Sequence, residues 1–144
     1  DLVVNAYDPF TKLDAAAAGV DAILNFPDKL EEADFLVLAC ALTPSSHHWL
    51  NEDTLQYFKD ELYVVNISRG ALIDEPALVK ALVSGKVKAA ALEVFETEPL
   101  PDNSPLRSFD QCIFGTHNGS NTIEAVRRAS HKAISLLFGF LNIA

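Results

Sequence analysis

The stretch that decides the fold is residues 62–76, LYVVNISRGALIDEP. Its first six residues, 62–67, are β-branched or apolar at almost every position, which is typical of a strand buried on both faces of a parallel sheet. Residues 74–76, DEP, then predict the start of a helix, because proline costs no hydrogen bond near the first helical position. Arg69 therefore follows the carboxyl end of a strand, where ligands bind in open α/β sheets. It is predicted either to bind an anion or to be a surface charge that closes a helix.

On both sides of this stretch, strand-like apolar runs alternate with helical patterns along the whole chain. Such alternation predicts βαβ units, and hence an α/β fold with a doubly wound parallel sheet and helices on both faces. Strands are predicted at 2–7, 21–25, 34–40, 61–67, 88–95 and 110–115, and helices at 11–19, 28–33, 51–59, 75–84 and 121–141. Gly85 is predicted to end the fourth helix, and Asn121 with Glu124 resembles a capping box at the start of the last one.

Composition limits the function classes. The 144 residues suit one soluble domain, and a net charge of −9 without a basic run argues against nucleic acids and anionic membranes as partners. The cysteines, Cys40 and Cys112, lie in apolar runs, which favours a reducing compartment such as the cytoplasm. The sequence has no methionine, so we expect Asp1 not to be a translation start and the chain to be part of a longer protein.

Asp8 is the first candidate for a binding residue, because it follows the first predicted strand in NAYDPF. In dinucleotide-binding folds an acidic residue after the second strand accepts hydrogen bonds from the adenosine ribose and repels a 2′-phosphate. That interpretation predicts NAD rather than NADP as the cofactor. The alternative is a simple Asx-Pro turn, which the dipeptide alone favours.

Arg69, Glu98 in FETEP and His117 in GTHNGSN follow three successive predicted strands. An arginine can bind a carboxylate through two parallel hydrogen bonds, and a histidine can transfer a proton near neutral pH. A carboxylate beside that histidine would orient the ring and stabilise the imidazolium. A lone histidine before a helix is more often a cap or a packing residue. Together, on loops at one edge of the sheet, the three residues predict a site.

Two longer segments, residues 66–106 and 114–125, resemble the NAD-binding domain of the D-isomer-specific 2-hydroxyacid dehydrogenases. This family includes phosphoglycerate, D-lactate and glyoxylate/hydroxypyruvate members. The resemblance implies hydride transfer between NAD(H) and a D-2-hydroxy acid/2-oxo acid pair. It also implies that Arg69 binds the substrate carboxylate, that His117 is the acid/base and that Glu98 is its acidic partner.

The resemblance further implies that Thr43, Ile67 and Glu93 line the cofactor and that the protein is a homodimer through this domain. No metal site is predicted. Two residues depart from the family pattern: Glu93 stands where the family usually has aspartate, and Thr116 where it usually has proline. The extra methylene of Glu93 could shift a contact to the nicotinamide carboxamide, and Thr116 could loosen the loop before the histidine.

A third departure is that the glycine-rich phosphate loop, G-x-G-x-x-G, is absent from the chain. Residues 1–144 are therefore expected to be most of one NAD-binding domain, without its first βα unit and without the substrate domain. In the strand order 3-2-1-4-5-6 the missing first strand would lie between the strand at 2–7 and the strand at 34–40.

Two alternatives to an enzyme remain open from the sequence: an NAD(H)-responsive protein-interaction module, like the corepressor relatives of this family, and a fragment that is inactive by itself. Two further predictions concern local structure. Residues 47–49, HHW, are predicted to form a solvated turn with the histidines on different sides and Trp49 as its anchor. The last helix is predicted to be buried, packing back toward the substrate domain.

Overall fold

The computed structural model of the chain describes residues 2–10 and 14–141. The strands are β1 (Asn5–Ala6), β2 (Ala22–Ile23), β3 (Phe35–Leu38), β4 (Leu62–Asn66), β5 (Val87–Leu92) and β6 (Ile113–Phe114). The α-helices are α1 (Ala15–Ala18), α2 (Glu52–Leu55), α3 (Glu75–Ser84) and α4 (Ile123–Leu141). Short 3-10 helices occupy Leu30–Glu32, Gly70–Leu72 and Pro105–Ser108.

All the strand pairs are parallel, which confirms the predicted α/β fold. The strands form two sheets, one with the order β1-β2 and one with the order β3-β4-β5-β6. In the part of the chain that the structure describes, no hydrogen-bonded strand pair joins the two sheets. In the doubly wound order expected from the sequence, one more strand lies between the strand at 2–7 and the strand at 34–40.

The core lies on one face of the larger sheet. Leu62, Val64 and Asn66 of β4 point to this face and are buried, while the residues between them are half-buried. Helix α3 packs against it, and its ends are as predicted. Asp74 accepts a hydrogen bond from the backbone N–H of Ala77, and Gly85 ends the helix in the left-handed region at φ 81°. The buried apolar side chains of β4, β5, α2, α3 and the intervening loops form one continuous cluster.

An aromatic cluster joins the two sheets. The ring of Phe26, in the loop after β2, lies 6.3 Å from the ring of Tyr7, 5.6 Å from Trp49 and 5.2 Å from Tyr57. Tyr7 follows β1, whereas Trp49 and Tyr57 belong to segments around the larger sheet. The two sheets are thus connected here by side-chain packing, since no hydrogen-bonded ladder links them in the described residues.

Two helices are much shorter than predicted. The helix predicted at 51–59 is limited to α2, and the one at 28–33 is a single 3-10 turn. That turn follows Lys29, whose φ of 59° lies in the left-handed region and so prevents an earlier helical start. Of the helix predicted at 11–19, α1 forms, and residues 11–13 lie outside the described residues.

The last helix, α4, begins after Thr122 and not after Asn121, because the hydroxyl of Thr122 accepts a hydrogen bond from the N–H of Ala125. The expected burial of this helix against the substrate domain stays a prediction, because that domain is expected to lie outside residues 1–144. None of its residues is buried, and Leu136 and Phe140 are 60% and 82% exposed. Among the residues described, no helix combines the length and the apolar character needed to cross a membrane.

Candidate active site

Glu98 and His117 form a hydrogen-bonded pair between the loop after β5 and the loop after β6. Glu98 Oε2 lies 2.7 Å from His117 Nδ1, and Glu98 Oε1 accepts a hydrogen bond from the N–H of Phe95 at 3.1 Å. The hydrogen bond from His117 is the main reason that the pKa of Glu98 lies below its ordinary value of 4.5. The Phe95 N–H and the charge of Arg69 lower the same pKa further.

This lowered pKa has a consequence for stability. A carboxyl group with a lower pKa in the folded state stabilises the fold at pH values above its unfolded pKa. The contribution is lost as the pH falls through the lowered folded pKa. Because the side chains of His117 and Glu98 are 44% and 35% exposed, solvent screens the pair and its contribution is small.

Arg69 follows β4 in a turn that a buried amide holds in place. Asn66, which is 0% exposed, donates from Nδ2 to the carbonyl of Arg69 at 2.9 Å and accepts from the N–H of Ser68 at 3.1 Å. The guanidinium of Arg69 is exposed and donates to the carbonyl of Ser68 at 2.6 Å. Sequence reasoning missed Asn66 as a positioning residue. The signal that could have found it is a single polar residue inside an apolar strand.

Gly70 brings the loop after β4 against the loop after β5. A side-chain Cβ at this position would lie 1.9 Å from the carbonyl carbon of Phe95 and 2.4 Å from the N atom of Glu96. Both contacts are with backbone, which cannot rotate away as a side chain can. Glycine is therefore required for the backbone next to Arg69 to approach the segment that leads to Glu98.

Glu75, at the start of α3, and Glu96, in the loop after β5, each accept a hydrogen bond from the backbone of the other. The N–H of Glu75 donates to Glu96 Oε1 at 3.0 Å, and the N–H of Glu96 donates to Glu75 Oε1 at 2.8 Å. Burial raises the pKa of Glu75 above its ordinary value, and the charge of Glu96 raises it further, while the Glu96 N–H acts in the opposite direction. Sequence reasoning also missed this pair, of which Glu96 lies two residues before Glu98 in the chain.

His48 faces this pair from the loop after β3. Its Nε2 lies 3.2 Å from Glu96 Oε1, shielded from solvent but without hydrogen-bond geometry, so the contact is electrostatic when the imidazole is protonated. The prediction that His47 and His48 point to different sides is wrong. Their rings stack at 4.0 Å, because His48 has a left-handed φ of 49° that turns its side chain back. Trp49 anchors the turn against Phe26, as predicted.

The residues expected on the cofactor side lie at strand ends. Thr43, after β3, has its hydroxyl 3.0 Å from Ser45 Oγ and 3.1 Å from Ser46 Oγ. Ile67, after β4, is 60% exposed at the carboxyl edge of the larger sheet. Asp8 follows β1 in the smaller sheet, and its Oδ1 accepts a hydrogen bond from the N–H of Phe10 at 2.9 Å. This is the Asx turn of the alternative interpretation.

Glu93, at the end of β5, was expected to line the cofactor. In the structure its Oε1 accepts hydrogen bonds from the backbone N–H groups of Asn118 and Gly119, at 2.5 Å and 2.6 Å. The carboxylate therefore lies on the loop that carries His117. The sequence separation of about 25 residues gave no local signal for this contact.

Comparison with known proteins is consistent with this geometry. Residues 1–119 match the family model described as D-isomer specific 2-hydroxyacid dehydrogenase, NAD binding domain. The chain is 42% identical over 113 residues to a glyoxylate reductase of Thermofilum pendens, covering 78% of this chain and 33% of that protein. It is 40% identical over 124 residues to a D-3-phosphoglycerate dehydrogenase of Methanocaldococcus jannaschii, covering 85% of this chain and 24% of that protein.

Solved structures give the same result. A glyoxylate reductase from Paecilomyes thermophila superposes with a TM-score of 0.78 at 34% identity, over 86% of this chain and 37% of that chain. A D-lactate dehydrogenase from Treponema pallidum superposes with a TM-score of 0.83 at 26% identity, over 97% of this chain and 46% of that chain. The chain thus spans a quarter to a third of the two curated relatives named above. All these relatives are dehydrogenases or reductases, which does not favour an interaction module.

Proposed function

Because this chain belongs to the D-isomer specific 2-hydroxyacid dehydrogenases, we propose that the protein carrying it transfers a hydride between NAD(H) and a D-2-hydroxy acid/2-oxo acid pair. The observation that carries this proposal is the 2.7 Å contact between His117 Nδ1 and Glu98 Oε2. Arg69 acts electrostatically on the same carboxylate. A hydrogen-bonded histidine and carboxylate, with an arginine after the neighbouring strand, at the carboxyl edge of a parallel sheet suit the reduction of a small anionic carbonyl compound.

Each of the three residues has a role in this proposal. Arg69 binds the carboxylate of the 2-oxo acid and helps to polarise its carbonyl group. In the reducing direction, protonated His117 donates a proton from Nε2 to the carbonyl oxygen, since Nδ1 is engaged by Glu98. Glu98 orients the ring and stabilises the imidazolium. In the oxidising direction, neutral His117 accepts the hydroxyl proton.

NAD(H) supplies the hydride chemistry when it is bound. The residues that we propose to hold it are Asp8 at the ribose and Thr43, Ile67 and Glu93 nearer the nicotinamide. The donor set suits such a ligand, because a carboxylate follows β1 and an exposed apolar residue follows β4 at the ligand-binding edge. The charge of Asp8 favours NAD over NADP.

We further propose that residues 1–144 form most of one NAD-binding domain, and that activity depends on segments of a longer protein. The share of each relative that the chain covers supports this, as does the absence of a G-x-G-x-x-G loop from the sequence. A cytoplasmic location is proposed from the free thiols of Cys40 and Cys112. A homodimer is proposed from the family resemblance, and sedimentation of the full-length protein tests it.

The experiment that tests the function is an assay of the full-length protein with NADH against a panel of 2-oxo acids. At least one acid should be reduced, as followed by the loss of nicotinamide absorbance. Replacing Arg69 by Gln should lower kcat/KM for that acid roughly 10- to 100-fold, because a charged bidentate contact becomes a neutral one. The dissociation constant of NADH should change little.

Arg128→Gln is the matched control, because Arg128 lies exposed on α4. It should leave the kinetics unchanged. NADH binding without turnover of any acid would contradict the proposal and support a binding module. Unchanged kinetics in Arg69→Gln would remove Arg69 from the site.

A further inference from the structure

Three backbone N–H groups of the loop that carries His117 are bound by one residue, Glu93. Its side-chain Oε1 accepts from the N–H groups of Asn118 and Gly119 at 2.5 Å and 2.6 Å, and its backbone carbonyl accepts from the N–H of His117 at 3.0 Å. Three successive amides of the loop therefore end on Glu93. Glu93 is in turn fixed to β4, because its own N–H donates to the carbonyl of Asn66 at 2.9 Å.

The three hydrogen bonds to Glu93 offset the energetic cost of the backbone conformation of His117. His117 has a φ of 56°, in the left-handed region that a residue with a Cβ adopts only at a cost of about 1–2 kcal/mol. Such a conformation persists only where the surrounding contacts determine it. If the amides of Asn118 and Gly119 lost their acceptor, His117 could return to ordinary backbone angles. Its ring would then leave the 2.7 Å contact with Glu98.

Gly115 makes room for this carboxylate. A Cβ at Gly115 would lie 2.0 Å from Glu93 Oε2 and 2.8 Å from its Cδ. Gly115 is not in the left-handed region. Among the described glycines, only Gly19 and Gly85 have a positive φ. The backbone at Gly115 would therefore accept an alanine, and the flexible end of Glu93 would have to move instead.

We propose that Glu93 is a positioning residue for His117, and that its carboxylate, seated over Gly115, takes over the task that a proline at position 116 would perform. Two departures from the family pattern, glutamate at 93 and threonine at 116, then compensate for each other. An aspartate at 93 would be shorter by one carbon–carbon bond, about 1.5 Å. Its carboxylate would not reach both amides unless the loop moved. The effect on catalysis rests on the function proposed above.

The first test measures the protection of the loop directly and does not depend on enzymatic activity. Hydrogen–deuterium exchange is measured at the amides of Asn118 and Gly119 in the full-length protein. Glu93→Asp should raise their exchange rates at least about tenfold, because both lose a charged acceptor. Glu93→Gln keeps an amide oxygen of the same reach and should raise them less. Glu52→Asp, on the exposed first turn of α2, is the matched control and should leave these rates unchanged.

The second test reads catalysis. Glu93→Asp should lower kcat for 2-oxo acid reduction about tenfold or more, because the proton donor is displaced. Gly115→Ala should give the same result with Glu93 intact. Thr116→Pro added to Glu93→Asp should restore most of the exchange protection and most of kcat. Thr116 donates no backbone hydrogen bond in the described structure, so proline costs none there.

The outcomes separate this inference from the proposed function. Wild-type exchange rates in Glu93→Asp would overturn the inference. So would an increase in the KM for NADH without loss of kcat, because that result assigns the carboxylate to the cofactor. Absence of turnover in the wild-type protein would overturn the proposed function alone, and the exchange result would still decide the role of Glu93.

Discussion

Replacing Asn66 by alanine should both destabilise the domain and misplace Arg69. The side chain is 0% exposed and makes two hydrogen bonds, to the carbonyl of Arg69 at 2.9 Å and from the N–H of Ser68 at 3.1 Å. Each neutral bond contributes about 0.5–1.5 kcal/mol, and an orphaned buried donor costs about 1–3 kcal/mol. The carbonyl of Arg69 keeps a bond from the N–H of Leu72 at 3.2 Å, so the orphan is the Ser68 N–H, which is only half-buried. The expected loss is therefore about 2–4 kcal/mol.

The measurement is denaturant unfolding of the full-length protein, combined with steady-state kinetics. The midpoint should fall without a change in the denaturant slope, and the KM for the 2-oxo acid should rise while the KM for NADH is nearly unchanged. Asn103→Ala, in an exposed turn, is the matched control and should change neither. A loss below about 0.5 kcal/mol, or an equal loss in the control, would refute the argument that the Asn66 amide holds the turn.

Three further predictions follow from the site. Glu98→Gln should move the decrease in the rate of 2-oxo acid reduction at alkaline pH to a lower pH, because protonated His117 loses the carboxylate that stabilises it. An unchanged pH profile would show that Glu98 has no role in the proton transfer. Gly70→Ala should destabilise the domain by about 3 kcal/mol or more in thermal unfolding, because the added Cβ meets the backbone of the loop after β5. A variant as stable as wild type would show that the loops after β4 and β5 are not packed this closely. Asp8→Ala should narrow the preference for NADH over NADPH in kcat/KM, and a parent protein that prefers NADPH would contradict the ribose assignment.

The sequence was sufficient to predict the fold and the loops that lie next to each other, but not the directions of the side chains. The apolar run of β4 and the helix signals around α3 are local, and each is sufficient on its own to predict its element. That Arg69, Glu98 and His117 follow successive strands predicts that they meet, because the carboxyl ends of parallel strands share an edge. The direction of the Glu93 side chain depends on a loop far along the chain, and no local pattern encodes it.

Helix lengths and histidine orientation were missed for related reasons. The helix predicted at 51–59 stops at Leu55, although its Asn51 cap is readable from the sequence. The positive φ of His48 arises from tertiary packing, since its N–H donates to the carbonyl of Ala71. The apolar stripe of α4 predicts burial without specifying the surface that buries it, and the expected surface is a substrate domain outside residues 1–144.

The aromatic contact between the two sheets also supplies an optical reporter. Trp49 is the only tryptophan in the sequence, and it packs edge-on against Phe26. Its emission therefore responds to separation of the β1-β2 sheet from the rest, whereas far-ultraviolet circular dichroism responds mainly to the larger sheet and the helices. If the two probes give coincident unfolding curves, the sheets melt as one cooperative unit. If the emission changes first, the smaller sheet detaches while the loops that carry Arg69, Glu98 and His117 are still folded.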